Sequence, residues 1–194
     1  MGRGARLNLP ADVLSLLADA DAEERAIEAA RGGAFDAFIT SDYEAVWRAL
    51  ATLEPEGRTF LEWGSGLGVV SLLAARRGFA AHGIELRGDL VRRARALADR
   101  HGLEAEYACG TFFPDGFEPD VALLDEDLVH GGEGADGYAE LGVPLEEFDV
   151  VFGFPWPGEE ELFLDLFRRA GGPHATLLLN LGRDGIRTVT PGPG

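Results

Sequence analysis

Apolar residues recur at helical spacing through the first fifty positions and gather into short solid runs after that. Over Leu9–Arg31, Val13, Leu14, Leu16, Leu17 and Ile27 stand among many alanines, which predicts a helix. Asp36–Leu53 gives a second helical pattern. Val46, Trp47, Leu50 and Leu53 share one face, with Ser41 or Asp42 suited to cap its start. Glu54–Gly57, "EPEG", is a turn, and there the periodicity changes.

From Arg58 onward, strands and helices alternate. Strands are predicted over Arg58–Trp63, Ala80–Glu85, Leu103–Ala108, Phe148–Phe152 and Ala175–Leu181, with a short last one over Ile186–Thr190. Helices are predicted over Leu67–Arg77, Asp89–His101 and Glu159–Ala170, each stopped by glycine. This alternation means βαβ units and a parallel sheet. Thr111–Glu147 is less regular, "HGGEGADG" within it has a loop's composition, and the "PGPG" end is expected to fray. The expected organisation is an N-terminal helical extension, residues 1–57, followed by an α/β domain, residues 58–194.

The chain of 194 residues carries a net charge of −17, with acids spread along its length. Such a chain repels a phosphate backbone on average, which disfavours nucleic acid as partner. The most basic stretch includes Arg87, Arg92, Arg93, Arg95 and Arg100. These interleave with Leu90, Val91, Ala94 and Leu97 and read as the wet face of an amphipathic helix. A single cysteine, Cys109, excludes an internal disulfide. No signal-peptide core or membrane-spanning run is apparent, so a cytoplasmic location is expected.

The chemistry concentrates at "FLEWGSGLGVV", Phe60–Val70. Gly64, Gly66 and Gly68 lie between a strand and a helix, where the chain must turn sharply. Glycine there accepts unusual backbone angles and lets a ligand or a neighbouring strand come close. The following helix start offers N–H groups to a polar ligand, and Ser65 lies within the turn. A dinucleotide fingerprint would place a small residue at Val69, and a phosphate loop would need Gly-Lys-Ser/Thr, so neither fits. That mismatch disfavours a nucleotide-dependent oxidoreductase.

The pattern E-x-G-x-G-x-G, from Glu62 to Gly68, resembles the first motif of the class I, Rossmann-like S-adenosylmethionine-dependent methyltransferases. "GIEL" supports the resemblance by placing Glu85 at the end of the second strand. The resemblance implies that Glu85 binds the ribose hydroxyls, as a carboxylate can accept two hydrogen bonds from a vicinal diol. It implies adenine contact at the corner after the third strand, occupied here by Cys109, Gly110 and Thr111 without the usual aspartate. Cys109 itself reads as a small buried packing residue. The implied fold is a Rossmann-like three-layer sandwich with a mostly parallel sheet. Its C-terminal end is shortened, because too few residues remain for the family's closing hairpin. An uncovered sheet edge is then expected to pair in a homodimer.

"DVVFGFPWPG", Asp149–Gly158, follows the fourth strand, where the resemblance implies methyl transfer. Phe154, Pro155 and Trp156 are the candidate catalytic residues there. Prolines on both sides hold Trp156 in a fixed pose, and an aromatic face favours a sulfonium or amine. Asp149 reads as structural. Tyr43 reads as ordinary helix packing rather than a lid, and Asp125–Asp136 as a solvated lid rather than a metal site. The expected activity is methyl transfer from S-adenosylmethionine to an amino group, small molecule or protein side chain. The alternative is a non-catalytic sensor of the same ligand or a scaffold subunit.

Overall fold

The computed structural model describes residues 9–30, 41–120, 123 and 134–190. Two helices come first, α1 (Ala11–Ala30) and α2 (Tyr43–Leu50). Then follow β1 (Thr59–Trp63), α3 (Val69–Arg77), β2 (Ala80–Glu85), α4 (Gly88–His101) and β3 (Ala105–Cys109). The second half holds α5 (Gly137–Leu141), β4 (Val150–Gly153), α6 (Glu160–Ala170), β5 (Thr176–Asn180) and β6 (Ile186–Val189).

The strands form one sheet in the order β3-β2-β1-β4-β5-β6. All pairings are parallel except β5 with β6. The order reverses between β1 and β4, which makes a crevice at their carboxyl ends. Solid apolar strands follow from cover on both faces. Phe60, Phe152 and Leu178 pack toward α1–α4, whereas Leu61, Val151, Leu177 and Leu179 pack toward α5 and α6. The three-layer sandwich expected from the sequence is what forms. After β5, the described residues add a single antiparallel strand.

The N-terminal helices share the first of these cores. Val13, Leu16, Ala20 and Ile27 of α1 are buried with Phe60 and Leu72. Asp42 caps α2 by accepting from the N–H of Ala45 at 3.0 Å. The basic stretch is in part an interface rather than a wet face, because α1 pairs with it. Glu23 meets Arg93 at 2.6 Å and Arg100 at 3.2 Å, and Asp19 meets His101 at 2.9 Å. A chain so rich in acid can neutralise these arginines internally.

Asp149 is structural, as read. Its Oδ2 accepts from the Thr59 N–H at 2.8 Å, tying the start of β1 to β4. Residues 36–40 of the second predicted helix, 124–133 of the acidic loop and the 191–194 tail lie outside the described residues.

Candidate active site

β1 ends at Trp63, and the turn that follows is built on left-handed glycines. Gly64, Gly66 and Gly68 have φ of 65°, 54° and 69°. Any other residue would be strained at these angles. Gly68 has a second constraint. A Cβ on it would collide with the hydroxyl end of the Tyr107 ring, whose hydroxyl donates to the Gly68 carbonyl at 3.1 Å. The close strand approach predicted for this glycine is therefore made by β3, through Tyr107.

Hydrogen bonds fix the turn to β2. The Ser65 N–H donates to the Ile84 carbonyl at 2.9 Å. The Gly66 N–H donates to Glu85 Oε2 at 2.9 Å, and Glu85 Oε1 accepts from the Arg87 N–H at 2.9 Å. Glu85 thus joins the glycine corner to the start of α4.

Glu62 is buried. Its Oε2 accepts from the Ser71 N–H at 2.8 Å and lies 2.7 Å from Ser71 Oγ. It therefore caps α3 from inside, and the chain itself takes part of the helix start that the sequence reading left to a ligand. Burial pushes its carboxyl up to about 8, against the Ser71 hydrogen bonds that pull it down. That shift favours the protonated form of Glu62 around neutral pH.

Beside this corner a cleft of about 70 Å³ lies at the crevice between β1 and β4. Glu62, Gly64, Ser65 and Gly66 form one wall, and Phe152 and Phe154 another. Tyr43 and Glu24 form a third, supplied by the N-terminal helices. Tyr43 packs on the core and also lines the cleft, so packing is only half of its role. Its hydroxyl faces Glu24, and burial together with nearby carboxylates pushes the phenol up. Glu24 was not singled out in the sequence, because "AEERA" looks like any solvated helix face.

The other candidates are placed less simply. Phe154 lines the cleft and Pro155 is buried, but Trp156 is not among the cleft-lining residues. The Trp156 N–H donates to Glu159 Oε2 at 3.0 Å, and its carbonyl accepts from the Glu159 N–H at 2.9 Å. Cys109 is exposed, which corrects the reading of a buried packing residue. It ends β3, which lies at the edge of the sheet among the described residues, and its N–H donates to Glu140 at 2.9 Å. Gly110 and Thr111 lie beneath a returning segment. The Thr111 N–H donates to the Ala135 carbonyl at 2.8 Å, and the Thr111 carbonyl accepts from the Gly137 N–H at 3.0 Å. The Thr111 hydroxyl accepts from the Phe113 N–H at 3.2 Å. Among the described residues, no group of three or more His, Cys, Asp or Glu is placed to hold a metal. None of the described helices is long and apolar enough to cross a membrane.

No family model and no curated protein matches the sequence. Solved structures do match the fold. An RNA methyltransferase from Salinibacter ruber, in complex with S-adenosyl-L-homocysteine, superposes at TM-score 0.52 with 20% identity, over 73% of this chain and 76% of its own. A methyltransferase from Geobacter sulfurreducens superposes at TM-score 0.52 with 16% identity, over 83% of this chain and 72% of its own. The fold is that of Rossmann-like methyltransferases. A SAM-dependent methyltransferase from Thiobacillus denitrificans, also with S-adenosyl-L-homocysteine, is similar at TM-score 0.49 and 18% identity over 75% of this chain, which spans about half (51%) of that protein.

Proposed function

We propose that this chain binds S-adenosylmethionine in the cleft and transfers its methyl group to a small-molecule or protein acceptor. The observation that carries the reading is the 2.9 Å bond from the Gly66 N–H to Glu85, beside the crevice where the sheet order reverses. It sets an acceptor for a diol against a glycine backbone that a ligand can approach.

The residues present fit the ligand chemically. Glu85 would take the ribose hydroxyls, and the Cys109–Thr111 corner would bound the base. Gly64, Ser65 and Gly66 would lie along the chain that carries sulfur, with Glu62 behind them. When bound, S-adenosylmethionine supplies a methyl group already activated by its sulfonium. The protein then has to align the acceptor and exclude water, with little acid–base work. Phe154 walls the cleft, and buried Pro155 sets its pose. Tyr43 and Phe154 present rings to a cationic centre. The net charge of −17 favours small-molecule or protein acceptors over nucleic acid.

The placement of Trp156 outside the cleft lining favours a second reading, a non-catalytic sensor or scaffold for the same ligand. Calorimetry with S-adenosylhomocysteine tests the binding that both readings share. Transfer of a labelled methyl group to a panel of amines and peptides then separates them. Binding without any turnover would favour the sensor, and no binding would remove both.

A further inference from the structure

We propose that Glu24, on α1, holds the positively charged amino group at the amino-acid end of the ligand in the cleft. This rests on the S-adenosylmethionine reading above.

Glu24 occupies an unusual place for a glutamate. The buried residues of α1 are Val13, Leu16, Ala20 and Ile27, spaced as one helical stripe. Glu24 stands four residues after Ala20 and three before Ile27, on that same stripe. Its neighbour Glu23 is spent on Arg93 and Arg100 of α4, which anchors this turn of the helix. Glu24 instead lines the same cleft as Glu62.

Glu24 thus shares the cleft with a Glu62 whose raised carboxyl favours the neutral form, and no arginine or histidine is among the lining residues to balance the Glu24 charge. Burial and the neighbouring Asp21 raise the Glu24 carboxyl, and the Tyr43 hydroxyl relieves it only in part. A cation entering from outside would complete the balance. A second feature points to a ligand independently. Ser65 lines the same cleft at 5% exposure, and its hydroxyl is buried without a partner. A buried hydroxyl with nothing to bond is costly, and a ligand carboxylate would accept from it. A carboxylate and a hydroxyl donor in one cleft match the two ends of an amino-acid zwitterion.

The chemistry distinguishes the amino group from the sulfonium. An ammonium offers N–H donors, which a carboxylate takes as charge-assisted hydrogen bonds. A sulfonium has no such donor and suits the rings of Tyr43 and Phe154 instead.

The test compares wild type with Glu24→Gln by calorimetry, using two ligands. S-adenosylhomocysteine carries the amino-acid end, and 5′-methylthioadenosine lacks it. Glu24→Gln is expected to bind S-adenosylhomocysteine roughly 10- to 100-fold more weakly, the loss of one hydrogen bond between charged groups. Its affinity for 5′-methylthioadenosine should stay within about twofold of wild type on the same scale. Tyr43→Phe, which frees Glu24 from its hydroxyl, should shift the first ligand alone and by less. Thermal unfolding of each variant checks that it folds. Equal weakening toward both ligands, or none toward S-adenosylhomocysteine, would overturn the assignment while leaving the cofactor reading intact. Failure of the wild-type protein to bind either ligand would overturn the cofactor reading and this assignment with it.

Discussion

Glu85 and Gly66, nineteen residues apart, meet through one 2.9 Å hydrogen bond that ties the end of β2 to the glycine corner. Glu85 therefore has work to do without any ligand. Glu85→Ala should lower the affinity for S-adenosylhomocysteine by about 2–4 kcal/mol, the value of two hydrogen bonds to a charged acceptor. It should also lower the melting temperature of the ligand-free protein, since the N–H groups of Gly66 and Arg87 lose their partner. Calorimetry and thermal unfolding on one preparation read both. Unchanged affinity in a folded variant would remove Glu85 from the binding site.

Gly57 and Gly68 have nearly the same backbone angle, φ of 71° and 69°. They differ in what surrounds them. A Cβ on Gly57 meets nothing within 4 Å, whereas one on Gly68 collides with Tyr107. Gly57→Ala should cost about 1 kcal/mol from backbone strain alone. Gly68→Ala should cost that and an added clash, more than about 2 kcal/mol in all. Chemical denaturation of the two variants measures the difference. Equal losses would mean that Tyr107 gives way at no cost.

Glu62 sets a pH dependence. Its carboxyl is raised from 4.5 to about 8 in the folded protein. Between those values the folded state keeps a proton that the unfolded state has released. Its contribution is fully present below the unfolded value and fades as pH rises through about 8. Glu62→Gln carries no such proton and should show a shallower decline over that window. Urea midpoints for both proteins, taken from mildly acidic to mildly alkaline pH, give the comparison. Parallel curves would mean that Glu62 is ionised throughout.

Phe154 and Trp156 should separate by assay. Phe154→Ala opens a wall of the cleft and should reduce methyl transfer at least tenfold, through lost alignment of the acceptor. Trp156→Ala, with its backbone still held by Glu159, should leave S-adenosylhomocysteine affinity within a factor of about two. Turnover and calorimetry on both variants decide. A large affinity loss in Trp156→Ala would place that residue against the cofactor rather than the acceptor.

Much of this was legible in the chain, for local reasons. Strand β2 forms over the predicted residues because a short buried run following Gly78 suffices to define it. The corner Glu62–Gly68 could be read because glycine at alternate positions has few other uses. Glu24 could not, because its role depends on where α1 lands relative to β1, and no local pattern encodes that. Cys109 misled for a similar reason. Its sequence neighbours are strand-like and apolar, but β3 turns out to be an edge strand. The cover of Thr111 by Ala135 and Gly137 likewise joins segments more than twenty residues apart.

The bond between Thr59 and Asp149 spans 90 residues of chain, and it joins the two central strands of the sheet. During synthesis, β1 can pair with β2 almost at once, but its other edge must wait for β4. At about 5–20 residues per second that wait lasts roughly 4–20 s. Throughout it the nascent half-sheet presents a bare strand edge beside Phe60, Leu61 and Trp63, residues that end up wholly interior. The pairing that creates the ligand crevice thus has the longest wait between its two strands of any in the sheet, and the interval in which the edge of β1 stays bare is set by topology.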